Sequence, residues 1–337
     1  MTMRVISRDL LAQQKARATF PKDFKLSDHV REIDKLANGH RIYEFVGVDT
    51  FGDEWRTRQR FEVDAGRDEE PLLYTPLYEE IRDAGLPKNV SVNRMGPAGV
   101  IFEEVLEGGE VKFMSVGESQ YTVPIRHWAT GLEYSKDLVI FNELWRVPVV
   151  ERQVGIAHNA LLNHLHLYPI ISYAYAAANQ TAANSSGDTY VEDVMLTIED
   201  AITNSRTDTD NPRRGPYMLL CSTSNIFAIE KALTRVPQQG VSLQSSAIDA
   251  VRGIIAYDGW SGMRGNLSVS YPGVTTGKAY LISLQYRGQD FQSFVKQDLM
   301  FEGEERDLSR FMTQSVWDSY WGVYANPIAA VEEITLP

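Results

Sequence analysis

The segment Gly273-Val-Thr-Thr-Gly277-Lys278 is the part of the sequence most similar to a nucleotide-binding motif. A phosphate-binding loop surrounds phosphate oxygens with backbone N–H groups. It requires four residues between the glycines and a serine or threonine after the lysine. Here three residues separate the glycines, Ala279 follows the lysine, and the chain continues into a strand-like run. The pattern predicts a turn that leads into a strand, and no nucleotide cofactor.

Two groups of residues have types that can bind metals, but their spacings do not fit a metal site. His158, His164 and His166 are separated by six, two and eight positions, whereas ligands on one helical face are three or four apart. Asp208 and Asp210 begin like a calcium loop, but a proline occupies the fifth position and no glutamate closes the loop. We interpret the histidines as core or interface residues and the aspartates as part of a solvated turn. No metal is expected.

The candidate nucleophiles and paired carboxylates also lack the arrangement that catalysis requires. Cys221 ends an apolar run, which predicts a buried structural thiol, and Ser261 lacks the Gly-X-Ser-X-Gly spacing of a nucleophile elbow. The glutamate pairs 103–104 and 332–333 are adjacent, so on a strand their side chains would point to opposite faces. The sequence therefore predicts no active site, and we expect that the protein is not an enzyme.

The composition is that of an ordinary folded protein with an acidic surface. Apolar residues make up 43% of the 337 residues and charged residues 23%, and the net charge is −12. Such a chain is poorly suited to reading DNA, because phosphate contacts need a cationic surface. It could still enclose DNA behind a locally less negative wall. The single cysteine excludes an intrachain disulfide framework, and the opening residues lack a signal peptide.

A long uncharged segment dominates the middle of the chain. From Gln153 to Gly187, 35 consecutive residues contain no Asp, Glu, Lys or Arg, where about eight would be expected at the average for the chain. Apolar spacings of three and four predict a helix over Val149 to Leu167, which Pro169 should end or kink. Because this helix has almost no charge on any side, it is expected to be buried or packed on partners. The apolar stretch that follows is too short to cross a membrane.

Other segments have weaker patterns. Strand-like runs at 100–106 and 111–116, joined through Gly108-Gly109, predict a two-stranded ribbon without a core of its own. We predict a short helix near Leu77 to Asp83. From about residue 180 onward the pattern predicts a helix (Val191 to Asn204), a strand (Tyr217 to Cys221), a helix (Ser224 to Arg235) and two further strands joined by a glycine-rich linker. The aromatic tail after Phe311 fits a helix and a strand equally well.

The passage from Tyr121 to Leu138, with Ile125-Arg-His-Trp128 at its centre, leads directly into the uncharged helix. This passage and the order of elements around it resemble the major capsid proteins of tailed bacteriophages, the HK-ninety-seven type, whose fold is shared with encapsulin nanocompartments. The resemblance covers roughly residues 90–337 and lies at the level of the fold.

The resemblance implies an α+β fold with four parts. They are an N-terminal arm and connecting segment (1-85), an extended β-hairpin loop (86-126), a peripheral domain with a long spine helix (127-178 and 291-337) and an axial domain (179-290). Gly108, Gly109 and Lys112 would form the tip of the extended loop and contact a neighbouring subunit. The ribbon without a core and the buried helix both fit this arrangement.

The resemblance also implies partners and one possible modification. The chain would self-assemble into hexamers and pentamers of an icosahedral shell, with a portal protein, separate scaffolding or decoration proteins, and packaged DNA on the inner wall. The start at Met1 leads us to expect no removed scaffolding segment. Some family members crosslink a loop lysine to an asparagine with help from a glutamate, for which Lys112, Asn326 and Glu333 have the right types. The simpler interpretation is a surface lysine and an Asn-Pro turn.

Three hypotheses therefore remain. The first is the shell protein of a phage virion, made in the host cytoplasm. The second is an encapsulin-like compartment, which would carry a pocket for cargo peptides. The third is a soluble α/β enzyme with a dispersed active site, which would be a small oligomer with a deep polar pocket.

Overall fold

A computed structural model describes residues 61–95, 118–135, 147–208, 211–234, 250–264, 267–285, 287–307 and 312–337. The helices are α1 (residues 61–69), α2 (Val147–Ile171), α3 (Tyr190–Thr207), α4 (Ile226–Leu233), α5 (Arg287–Asp290) and α6 (Pro327–Ala330). The strands are β1 (Glu79–Arg82), β2 (Asn89–Met95), β3 (Glu118–Pro124), β4 (Arg126–Ser135), β5 (Gln180–Thr181), β6 (Tyr217–Cys221), β7 (Val251–Ala256), β8 (Gly259–Arg264), β9 (Leu267–Pro272), β10 (Lys278–Ser283), β11 (Phe291–Asp307), β12 (Met312–Ala325) and β13 (Val331–Thr335).

A four-stranded sheet has the order β1-β11-β12-β4 and contains the two longest strands. β11 and β12 pair antiparallel over 17 and 14 residues, and β1 lies parallel to β11. The helix predicted near Leu77 to Asp83 is wrong, because residues 79–82 form β1. The aromatic tail is also settled as a strand: Trp317 and Trp321 are buried on β12, where β11 and β4 flank them. β11 directly precedes β12 in sequence, whereas β4 lies more than 170 residues before it.

A five-stranded sheet has the order β5-β13-β10-β6-β7 and is covered on both faces. On β6, Met218 and Leu220 face a core shared with α2 and the four-stranded sheet, whereas Leu219 and Cys221 face α3 and α4. This alternation follows from the two-residue period of a strand. Because both faces are apolar, the sequence of β6 is an unbroken hydrophobic run, and its predicted bounds are confirmed.

The last strand in sequence belongs to this second sheet. β13 lies between β10 and β5, and it pairs antiparallel with β10 and parallel with β5. Residues 291-337, predicted to form the peripheral domain with residues 127-178, therefore contribute one strand to the sheet that is otherwise built from residues 180–283.

The predicted uncharged helix is confirmed as α2, which is 25 residues long and runs two residues beyond Pro169. Its polar side chains hold the segment before β1. The Asn159 amide donates to the carbonyl oxygens of Arg67 and Glu70, both at 2.8 Å, and the Asn163 amide donates to that of Pro71 at 2.9 Å. The lack of charged residues predicted that this helix is buried. These contacts show that another part of the same chain covers much of its surface.

Two glycines allow α1 and α2 to cross at close range. A Cβ atom on Gly155 would lie 2.0 Å from the carbonyl oxygen of Val63, and one on Gly66 would lie 2.0 Å from that of Arg152. Real Cβ contacts are never so short. Only glycine at both positions permits this backbone approach.

Helix α3 begins with a capping box. The Thr189 hydroxyl accepts from the backbone N–H of Glu192 at 3.3 Å, and the Glu192 carboxylate accepts from the backbone N–H of Thr189 at 3.1 Å. The predicted helix after β6 is a 3-10 turn, Thr223–Asn225, followed by α4. The predicted glycine-rich linker contains the β8–β9 hairpin, in which Trp260 stacks on Tyr271.

Candidate functional site

The structure confirms a turn at the glycine and lysine motif. Gly277 has a φ of 83°, which favours glycine, and β10 begins at Lys278. The Lys278 ammonium group forms an ion pair with the Glu333 carboxylate on the neighbouring strand β13. Lys278 therefore stabilises the five-stranded sheet of its own chain.

His166 is a fully buried core residue. Its Nδ1 lies 2.6 Å from the carbonyl oxygen of Leu162, and because a carbonyl can only accept, Nδ1 carries the proton. Its Nε2 then accepts from the Ser293 hydroxyl on β11 at 2.8 Å, and its ring stacks on Tyr74 with centroids 3.6 Å apart. Burial lowers the pKa of His166 to about 3. The ring is a neutral bridge between α2 and the four-stranded sheet.

The other two histidines are also packing residues. Burial, assisted by the nearby charge of Arg67, lowers the pKa of His158 to about 4. His164 stacks on Tyr271 of β9, with ring centroids 4.5 Å apart, and thereby joins the β8–β9 hairpin to α2. Among the described residues, no three His, Cys, Asp or Glu side chains come together as a metal site.

Cys221 is fully buried in the five-stranded sheet. Burial, with the charges of Asp258 and Glu230, raises the pKa of its thiol to about 11. A thiol in this environment stays protonated at neutral pH and is a poor nucleophile. Cys221 therefore packs as a small apolar side chain, as its sequence context predicts.

The solvated turn predicted for Asp208 is wrong, because its carboxylate belongs to a buried ionic cluster that sequence reasoning missed. Arg213 Nη2 lies 2.7 Å from Glu332 Oε2 and 3.2 Å from Asp208 Oδ2, and the Thr181 hydroxyl donates to Glu332 at 2.7 Å. Burial raises the pKa of Glu332, while the Thr181 hydrogen bond and the Arg213 charge act in the opposite direction. The cluster joins the segment after α3 to β13. Asp210 lies outside the described residues.

Two of the three candidate crosslinking residues have partners within the chain. The Asn326 amide nitrogen lies 3.3 Å from Asp290 Oδ1, and Asn326 precedes Pro327 at the start of α6, so the predicted turn is confirmed. The Glu333 carboxylate accepts from Gln180 at 3.1 Å and binds Lys278. Lys112 lies outside the described residues, and the crosslink stays a prediction.

The base of the predicted ribbon lies on the four-stranded sheet. β2 and β3 pair antiparallel, and Val92 and Val123 pack against Phe294 and Tyr324 of that sheet. Tyr121 contacts the Tyr324 ring yet remains 44% exposed. The 22 residues between β2 and β3, with Gly108, Gly109 and Lys112 among them, lie outside the described part of the chain, so the loop tip stays a prediction.

Large apolar side chains are exposed along the four-stranded sheet. Met300 on β11 is 48% exposed and Val316 on β12 is 39% exposed. Together with Tyr121 on the ribbon, they are large apolar side chains that the described part of the chain leaves partly exposed.

Comparison with solved structures identifies the fold. The mature capsid of bacteriophage PhiM1 matches with a TM-score of 0.52 and 11% identity, over 77% of this chain and 85% of that chain. The capsid of the cyanophage P-SCSP1u matches with a TM-score of 0.52 and 10% identity, over 79% and 88%. A virus-like particle from Pyrococcus furiosus matches with a TM-score of 0.49 and 14% identity, over 83% of this chain and 98% of that chain.

The chain therefore has the α+β fold of tailed-phage capsid proteins, as the sequence resemblance implied. No protein-family model and no curated protein matches the sequence. Within the described ranges, no helix is long and apolar enough to span a membrane.

Proposed function

We propose that this protein is the major capsid protein of a tailed bacteriophage, which self-assembles into an icosahedral shell around double-stranded DNA. The observation that carries the proposal is the match to phage capsids over about four-fifths of the chain. A fold alone does not determine function, so the proposal also draws on the surfaces of the molecule.

Those surfaces suit a shell subunit. The ribbon base and the four-stranded sheet expose apolar side chains at Tyr121, Met300 and Val316, which neighbouring copies would cover. The residues that suggested catalysis or metal binding serve the fold instead, as His166 and Lys278 do. The residues of the loop tip, Gly108, Gly109 and Lys112, would contact the next subunit. Portal, scaffolding and decoration proteins would be further partners in the virion.

The decisive measurement is the mass and shape of the purified full chain by light scattering and negative-stain microscopy. We expect closed shells of megadalton mass, or discrete capsomers that await a further assembly factor. A persistent 38.0 kDa monomer or dimer at high concentration would contradict the proposal. Shells that protect DNA from nuclease would support a virion, whereas shells that hold a protein cargo and no DNA would support the encapsulin-like alternative.

A further inference from the structure

Two glutamates occupy adjacent positions of β13, although this strand lies inside the five-stranded sheet between β10 and β5. Glu332 and Glu333 are both buried. Because successive side chains of a strand point to opposite faces, the two carboxylates lie on opposite faces of the sheet. A strand that is covered on both faces is normally a continuous apolar run, as β6 is. β13 departs from this pattern at two neighbouring positions.

Glu332 is held by a buried cation. Its Oε2 atom lies 2.7 Å from Arg213 Nη2, and its Oε1 atom accepts from the Thr181 hydroxyl on β5 at 2.7 Å. The Arg213 side chain is only 1% exposed, and its Nε and Nη1 atoms have no hydrogen-bond partner among the described residues. Asp208 is the other carboxylate at Nη2, at 3.2 Å. Because a buried charge that loses a partner is strongly unfavourable, Arg213 favours a carboxylate at the position of Glu332.

Glu333 is held by a cation that is nearly half exposed. Lys278 on β10 forms the ion pair with Glu333, and the Lys278 side chain is 45% exposed. The Gln180 amide on β5 donates to the same carboxylate at 3.1 Å. Water can solvate the Lys278 ammonium group if Glu333 moves away, whereas the Arg213 side chain is closed to water. Of the two cations, Arg213 therefore has the greater influence on which residue of β13 lies beside it.

We infer that Arg213 sets the register of β13 by selecting Glu332 as its neighbour. A slip of one residue moves every side chain of a strand to the other face. In one slip, Glu333 would lie beside Arg213. Glu332 would then take the position of Val331, which is fully buried in an apolar cluster. In the opposite slip, Val331 would lie beside Arg213, and the guanidinium group would lose its closest carboxylate. Both slips are therefore unfavourable.

The apolar side chains of β13 cannot set the register by themselves. A hydrophobic pattern specifies the register where one face of a sheet is buried and the other is solvated. Here Val331 packs in the core shared with α2, and Ile334 packs against α3 and α4, so both faces accept apolar side chains. The ion pair supplies the distinction that the apolar pattern lacks, and it acts within one subunit whether or not subunits assemble.

A substitution that removes only Glu332 tests the register. In Glu332→Val, the slip that brings Glu333 beside Arg213 would place an apolar side chain at the position of Val331, so its main penalty disappears. We expect β13 to slip by one residue in this variant. The matched control is Glu333→Val, which makes the same chemical change one position along the strand. It leaves Glu332 beside Arg213 and should retain the native register.

An engineered disulfide reports the register. Ala279 pairs with Ile334 in the native register and would pair with Thr335 after the slip. The double variant A279C/T335C therefore forms a disulfide only in the slipped strand, because in the native register these two side chains point to opposite faces. Cys221 pairs with Ala279 from β6, so every variant also contains Cys221→Ala. Oxidation in a glutathione buffer followed by peptide mass mapping measures the crosslinked fraction.

The crosslinked fraction should rise on the order of tenfold or more in E332V, because loss of one partner from a buried ion pair is strongly unfavourable. It should stay at the wild-type level in E333V. Circular dichroism and thermal melting establish which variants are folded. A folded E332V with the crosslinked fraction of the wild type would overturn the inference.

A second variant covers the case in which E332V does not fold. The triple variant D208N/R213M/E332V has no charge in the cluster, so nothing requires a carboxylate beside β13, and the native register should be retained. A folded triple variant with the native register, compared with an E332V that slips or does not fold, would support the role of Arg213. A triple variant that slips as E332V does, or that also fails to fold, would show that Arg213 does not set the register.

Discussion

The two large sheets of this protein differ in how their faces are covered. The five-stranded sheet has one face against the shared core and the other against α3 and α4, so the chain covers both faces. The four-stranded sheet is built on the much longer strands β11 and β12 and leaves Met300 and Val316 half or nearly half exposed. Among the described residues, the five-stranded sheet is covered on both faces, whereas the four-stranded sheet has partly exposed apolar side chains.

The contacts between each sheet and its covering helices differ in kind as well. The layer between the five-stranded sheet and α3 is made of apolar side chains such as Ile198, Ile202 and Leu281. The four-stranded sheet is joined to α2 partly through the polar pair of His166 and Ser293. The stability of the first contact depends on the apolar area that is buried. The stability of the second also depends on the protonation state of His166.

The largest expected difference between the sheets is in the cost of truncating a side chain. Leu281→Ala removes a side chain that is 1% exposed, and it should lower the free energy of unfolding by about 2–5 kcal/mol. The control Val316→Ala on the four-stranded sheet should change it by less than about 0.5 kcal/mol in the unassembled chain. Urea unfolding of both variants measures this contrast. Equal losses would mean that Val316 is buried in the free subunit.

A second prediction concerns the crossing of α1 and α2 beside the four-stranded sheet. Gly155→Ala places a methyl group 2.0 Å from the Val63 carbonyl oxygen and should lower the free energy of unfolding by about 1–3 kcal/mol, although alanine favours helices. Gly303→Ala on β11 is the matched control, because nothing lies within 4 Å of its new Cβ. A Gly155→Ala variant as stable as Gly303→Ala would show that the helices do not cross so closely.

A third and smaller effect is the response to acid. The pKa of His166 is about 3 in the folded chain and 6.5 when exposed, so the unfolded state binds more protons between these values. The stability contributed by the neutral ring is therefore lost as the pH falls below 6.5, by about 1 kcal/mol between pH 7 and pH 5.5.

A variant separates the contribution of His166 to this pH dependence from that of other titrating groups. His166→Gln should be less stable at pH 7 but should lose less on acidification than the wild type. Unfolding curves at several pH values make the comparison, and an unchanged slope for His166→Gln would show that His166 is already accessible to protons.

The parts of the fold that sequence predicts well are those where one segment contains the whole pattern. Tyr217 to Cys221 is apolar on both faces, so its bounds as a strand follow from composition alone. The uncharged run predicts α2, but the predicted helix begins two residues late and ends four residues early. The ends of a helix depend on contacts that periodicity does not contain. These elements also support the resemblance to phage capsids.

The elements that sequence missed are fixed by distant partners. β1 is a strand because β11 lies beside it, more than 200 residues later. The tail was ambiguous because Trp317, Tyr320, Trp321 and Tyr324 fit two periodicities until β11 and β4 are placed. Gly108, Gly109 and Lys112 stay predictions, outside the described residues.

The position of β13 has a consequence for the order of folding. This strand lies between β10 and β5, and Glu333 pairs with Gln180, 153 residues earlier. Contacts over such separations form slowly, because a long loop must close first. Until β13 docks, β10 has an open edge of unpaired N–H and C=O groups that can recruit a strand from another chain. In the proposed shell, closure of this sheet within each subunit has to precede contact between subunits, because the open edge of β10 would otherwise pair with a strand of another chain.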